Sequence, residues 1–227
     1  MKKHFLWIFS IFTMSSVAQV NLKYEVLDPN RAGKIFRNPL SEKSKPKGSP
    51  YLQQMFAGAK VENVSQKTFM RYNVYNDEFE FMTAKNDTLI LDKIEDFSPI
   101  IFAGTNKKYK LVAYTNSTGK LFNGYLIDCY EKSGFALLKK ENITYYEERI
   151  AKTSLEVNLP SKYVKSEDTF FLKNQEHGIS EFPATKKQLL KLFPEKKQVI
   201  EAFLKEYKIS FSEDSDRIRI VDLLATL

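Results

Sequence analysis

Apolar side chains recur at every second position through the middle of the chain. "KTFMRYNVY" (67–75) and "EFEFMT" (78–83) alternate around Asn76-Asp77, the pattern of strands that bury one face. A two-residue loop there would set Val74 opposite Phe79 and Tyr72 opposite Phe81 on the apolar face. Arg71, Asn73, Tyr75, Glu78 and Glu80 would fall on a wet face, with Arg71 diagonal to Glu80 as a surface pair. "DTLILDKI" (87–94) follows an Asn-Asp turn at 86–87. "SPIIFAG" (98–104), "KYKLVAYT" (108–115), "GYLIDCYE" (124–131) and "FALLKKENITYYEE" (135–148) then follow between Gly-, Asn- and Ser-bearing turns. "SLEVNLP" (154–160), "KYVKSEDTFFLKN" (162–174) and "GISEFP" (178–183) read as further strands, the last two as a hairpin looping through 174–178. No helix-period segment separates these runs, so they predict an antiparallel meander rather than a parallel sheet with crossover helices.

The period changes at residue 185. Thr185 and Gln188 match a capping box ahead of Leu189, Leu190, Leu192 and Phe193. Pro194 should end that helix and open the next. Val199, Ile200, Phe203, Leu204 and Tyr207 form one apolar stripe opposite Lys196, Lys197, Glu201 and Lys205. Ser212 or Asp214 is placed to cap a last helix whose apolar side is Ile220, Val221, Leu224 and Leu227. The pattern predicts an α+β fold: an antiparallel β-roll, partial barrel or sandwich over about residues 60–183, then two or three C-terminal helices packed on it.

The N-terminus changes where this fold is expected to work. Lys2 and Lys3 precede an apolar stretch from Phe5 to Met14, and Ser16-Val17-Ala18 supplies small residues for cleavage after Ala18. Together these are the parts of a secretory leader, and the apolar stretch is too short for a comfortable membrane span. Residues 1–18 are therefore expected to be a signal peptide, leaving no transmembrane span and an exported protein, periplasmic or extracellular. Residues 19–50 read as an extended arm. It holds a short strand candidate, "VNLKYEVLD", and then "KIFRNPLSEKSKPKGSP" with three prolines and few apolar anchors. Residues 51–184 are assigned to the β domain and 185–227 to the helical segment.

Removing 18 of the 227 residues leaves 209, and losing Lys2 and Lys3 lowers the net charge from +7 to +5. That length can bury a sizeable core. The modest charge, interleaved with acids, is a solubility signature and not a nucleic-acid footprint. Cys129 is the chain's single cysteine, so no intramolecular disulfide can form. In "GYLIDCYE" it is expected to be a small buried hydrophobe. His177 is the one histidine after the leader, in an expected hairpin loop with no nucleophile motif to serve. No phosphate-binding glycine motif occurs, and no cofactor or metal is implied. Glu147/Glu148 and Asp77/Glu78 are carboxylate neighbours, but on a strand neighbours point to opposite faces and cannot confront each other across a cleft. "SEDSD" (212–216) lacks the spacing of a calcium loop and is better explained as acids at a helix start. Tyr75, Lys196 and Lys197 remain as the candidate surface patch.

"GSPYL" (48–52), "RYNVYNDEFEF" (71–81) and "TKKQLLKLFPEKKQVIEAFLKEYKI" (185–209) resemble, in this order, an uncharacterised family of secreted bacterial proteins. The resemblance implies export and a β-rich body before a lysine-rich helical tail. It carries no activity, cofactor or catalytic residue with it. The leading expectation is a non-enzymatic binding or envelope-associated protein whose partner is a protein, a peptide or an envelope component. A barrel carrying a small apolar ligand is the alternative, and a carboxylate-dependent hydrolase ranks below both.

Overall fold

The computed structural model describes residues 45–153, 155–176 and 178–227. The strand candidate at 20–28, the signal peptide and most of the arm lie outside the described residues. So does His177.

Ten strands form one strongly curled sheet. They are β1 (Ala57–Val61), β2 (Thr68–Asn73), β3 (Glu78–Met82), β4 (Thr88–Ile90), β5 (Ile100–Phe102), β6 (Lys108–Thr115), β7 (Leu121–Lys132), β8 (Phe135–Tyr146), β9 (Lys162–Asn174) and β10 (Gly178–Glu181). Their order is β10-β9-β8-β7-β6-β5-β1-β2-β3-β4, with every neighbour antiparallel. Ser180 of β10 also pairs in parallel with Thr115 of β6, which curls β6 to β10 into a partial barrel. Three helices follow: α1 (Lys186–Leu192), α2 (Lys197–Glu206) and α3 (Asp214–Leu224). The expected α+β architecture is therefore present.

Alternation along the long strands sorts the apolar side chains into three layers. Tyr109, Leu111, Tyr125 and Ile127 face the curl made by β1 to β5 and meet Met70, Tyr72, Phe79, Ile100 and Phe102. Tyr114 and Leu126, on the opposite face, join Ala136, Leu138 and Phe171 inside the β6–β10 ring. Leu137 and Leu172 point outward against Leu189, Ile200, Leu204, Ile220, Val221 and Leu224 of the helices. The first layer is filled by rings: Phe79 is fully buried, stacks on Tyr72 and meets Tyr125 edge-on, each 4.7 Å away. Burial of this kind contributes about 1.5–3 kcal/mol for each large apolar side chain.

Several expectations are corrected. The β2–β3 register pairs Tyr72 with Phe79 and Arg71 with Glu80, and the turn spans four residues, Val74 to Asp77. Val74 and Tyr75 give their amides to the Pro50 carbonyl, and the Asn73 side chain accepts the Asn76 amide, so these residues are drawn away from the ladder. "SLEVNLP" adds no strand to the sheet. Leu159 forms an isolated bridge with Arg149, and Leu155 and Val157 are exposed. In α2 the buried stripe narrows to Ile200 and Leu204; Phe203 is half-buried, while Val199 and Tyr207 are exposed. The α1 capping box is formed, and Pro194 opens a short 3-10 turn that leads into α2. Neither Ser212 nor Asp214 caps α3. Glu213 holds the N-cap position without a side-chain bond, and Asp214 and Asp216 lie in the first turn. Leu227 is partly exposed.

Candidate binding surface

Residues 46–56 form a strap that joins β9 to β2 across the curled sheet. Lys47 pairs with Lys162 of β9, and Tyr51 pairs with Asn73 of β2. Gly48 makes the first junction fit. Its φ is +78°, and a side-chain carbon there would collide with the Tyr163 carbonyl, so this position needs glycine. The strap covers the face of the β2–β3 hairpin that the alternation marks as wet. Asn73 and Glu80 are buried beneath it. Glu80 accepts from the Tyr51 hydroxyl at 2.7 Å and from Arg71 Nε at 2.7 Å. The Arg71 guanidinium lies between the Tyr51 and Phe56 rings, 4.2 and 4.5 Å from their centres, in reach of cation–π attraction. Burial pushes the Glu80 carboxyl up, but hydrogen bonds from Tyr51 and Arg71, the Arg71 charge and the Asn73 side chain outweigh it and hold the group below its ordinary range. Burial first, and Glu80 second, push the Tyr51 phenol up to about 12.

Tyr75 stands at the tip of the same hairpin. Its ring is about half exposed and packs edge-on against Tyr163 at 5.3 Å and beside Tyr145 at 6.0 Å, while Tyr145 and Tyr163 lie 4.9 Å apart. Beyond this cluster the chain between β8 and β9 continues as a narrow extension. Arg149 and Leu159 exchange backbone hydrogen bonds of 2.8 and 2.9 Å, and the tip carries Ile150, Leu155, Val157 and Leu159 exposed. The tyrosines and this tip lie toward the same end of β8 and β9. Lys196 and Lys197 do not join them. Lys196 donates to the Leu227 carbonyl at 2.9 Å and lines a groove with Phe135, at the opposite end of β8 from Tyr145. Ten residues of strand separate those ends, roughly 33 Å at the usual rise.

The polar interior is structural. Asp77 accepts from the Tyr72 hydroxyl at 2.5 Å, the Tyr125 amide at 3.1 Å and Lys93 at 2.6 Å. Glu141, buried, accepts from Lys107 at 2.6 Å and Tyr109 at 2.9 Å. Burial, then the Glu141 charge and hydrogen bond, then the Asp168 charge push the Tyr109 phenol far up. Tyr72, Lys107, Tyr109 and Glu141 floor a shallow crevice of about 40 Å³ under the strap, walled by Leu52, Met55, Met70 and Phe102. Cys129 departs from expectation. It sits where the β7–β8 register shifts and is exposed as a residue. Its sulfur is nonetheless sheltered, and burial, opposed by Lys139 and reinforced by Asp214, Asp128 and Asp168, pushes the thiol up to about 11. A thiol held protonated at neutral pH is a poor nucleophile. Glu147 and Glu148 are both exposed, and Glu78 pairs across the ladder with Asn73 while Asp77 turns to Tyr125. Among the described residues no three His, Cys, Asp or Glu side chains converge as metal ligands.

The strap and the tyrosine cluster show what sequence reasoning missed. Alternation identifies the hairpin's polar face but cannot say that a proline-rich arm returns to cover it. Tyr145 and Tyr163 carry no local signal beyond strand texture; they become a site with Tyr75 only through the β8–β9 register. Compared with models of known protein families, with curated proteins and with solved structures, the chain matches none of them.

Proposed function

We propose that this chain is an exported, non-enzymatic binding or envelope-associated protein whose partner is a protein, a peptide or a cell-envelope component. The observation that carries the binding reading is the surface formed by Tyr75, Tyr145 and Tyr163 with the exposed aliphatic tip beside them. Apolar groups gathered on one protruding end mark interaction sites more often than scattered exposed ones do. The leader-like residues 1–18 and the resemblance to secreted bacterial proteins support export. A carrier of a small apolar ligand draws less support, because the crevice under the strap is floored by Glu141 and Lys107. Hydrolysis draws less still: both oxygens of Asp77, of Glu80 and of Glu141 already accept from neighbouring side chains or backbone.

Fractionating cells that produce the protein, and weighing it intact in each fraction, tests the reading. The expected species begins at Gln19 and is found outside the cytoplasm or with the envelope. Recovery in the cytoplasm with Met1 retained would overturn it.

A further inference from the structure

We propose that the extension between β8 and β9 docks the protein onto an anionic lipid surface, with the aliphatic tip in the acyl boundary, the tyrosines at headgroup level and the surrounding lysines on lipid phosphates. The inference rests on the envelope-associated reading and names its partner.

Four aliphatic side chains crowd the tip. Ile150 is 68% exposed, Leu155 94%, Val157 76% and Leu159 50%. The backbone there is paired within the extension. Besides the Arg149–Leu159 exchange, the Ala151 amide donates to the Asn158 side chain at 2.7 Å and the Lys152 amide to Glu156 at 2.9 Å. Such a tip enters a low-dielectric boundary without carrying those amides in unpaired. Behind it, Tyr146 pairs with Lys162 and Tyr145 with Tyr163 in the last rungs of the β8–β9 ladder, and Tyr75 closes the cluster. Tyrosine favours the membrane–water boundary because its body is apolar and its end is polar.

The charges fit the same orientation. Arg149, Lys152, Lys162 and Lys165 oppose Glu147, Glu148 and Glu156, and Lys47 adds a fifth cation beside Lys162. Lysine and arginine stems can lie along the apolar surface while their charges reach the headgroups. The excess is only two charges, so burial of the tip should supply most of the binding and salt should weaken it modestly. A protein partner fits the tip less well. Hot spots at protein interfaces favour Trp, Tyr and Arg, with Leu and Val under-represented, whereas the exposed apolar side chains of this tip, Ile150, Leu155, Val157 and Leu159, are all aliphatic.

Flotation with vesicles decides it. The protein in its exported form is mixed with phosphatidylglycerol–phosphatidylethanolamine vesicles, or with phosphatidylcholine vesicles, and floated through a density step. Wild type should float with the anionic vesicles, and the Leu155→Glu/Val157→Glu pair should lower partitioning at least about tenfold, since each side chain forgoes its transfer from water. Both sites are exposed, so the thermal melt should not move. Ile90→Glu, at an exposed position on β4, should float like wild type. All forms share one N-terminus, so the comparison isolates the tip. Wild type left at the bottom, or the double variant floating unchanged, overturns the lipid assignment. Recovery with the envelope only through cross-links to a protein also overturns it, while leaving the envelope-associated reading in place. Cytoplasmic recovery with Met1 retained defeats the envelope reading itself.

Discussion

Asp77 sits at φ 58° at the end of the hairpin turn, a conformation that Asp and Asn tolerate better than most residues. Its carboxylate joins two strands that are distant in sequence, accepting from Tyr72 on β2 and from the Tyr125 backbone on β7. Gly124 permits the approach, because a side-chain carbon there would collide with the Asp77 carboxylate. Asp77→Ala should cost about 1–3 kcal/mol for each buried donor it orphans, with backbone strain added. Asp77→Asn keeps an accepting oxygen and the backbone tolerance, and loses mainly the half-exposed ion pair to Lys93. It should cost less than about 1 kcal/mol. Denaturant melts of the two variants check the contrast. Equal midpoints would show that the carboxylate is not what secures the turn. From sequence, Asp77 is one half of an acidic neighbour pair; its structural role depends on a strand 48 positions away.

In the helices the sequence predicts the period correctly and the width of the buried face less well. A helix packed on a curved sheet buries only the arc that touches it, so Ile200 and Leu204 are covered while Val199 and Tyr207 reach solvent. Phe203 lies between, stacked on Tyr207 at 4.8 Å. Ile200→Ala should therefore cost about 2–5 kcal/mol, the lost transfer plus the residual cavity. Val199→Ala, one position away, should stay within about 0.5 kcal/mol. Thermal or denaturant melts read the difference, and an Ile200→Ala protein as stable as wild type would mean that α2 does not cover the β8–β9 face. The β elements show the same division. Alternation locates β2 and β3, but their register shifts by two because the strap captures the turn's amides. A shift of two preserves the faces, so the buried set survives the error in pairing.

For the whole folded unit, Pro46–Leu227, the strap is the closing element, and Glu80, bonded to Tyr51 and Arg71, is one of its fastenings to the hairpin. The Glu80 carboxyl is held below its ordinary value of 4.5, so the folded state favours the ionised form. That contribution is complete above the ordinary value and is lost as pH falls through the depressed one. Glu80→Gln should destabilise the protein by about 1.5–3 kcal/mol at pH 7, the worth of hydrogen bonds to a buried charge. The gap between variant and wild type should shrink steadily below pH 4.5. Paired denaturant melts across pH 3–7 measure it, and a gap that does not change with pH would show that Glu80 ionisation does not fasten the strap. Pro50 and Tyr51 of the strap bond Val74, Tyr75 and Glu80 of the hairpin here.

Local patterns determined the α+β class, most of the strands, the capping box at Thr185 and the apolar faces, because side-chain alternation and helix period are properties of neighbouring residues. Non-local geometry decided the rest. The pairing of β10 with β6, the covering of Arg71 and Glu80 by the strap, the exposure of Cys129 at a register shift and the meeting of Tyr75 with Tyr145 and Tyr163 join residues dozens of positions apart. No window of sequence contains both partners of such a contact. From sequence the candidate surface was legible only as Tyr75, on the polar face of a strand and grouped with Lys196 and Lys197; it became a site once the long β8–β9 ladder set two more tyrosines and an aliphatic tip at the same end.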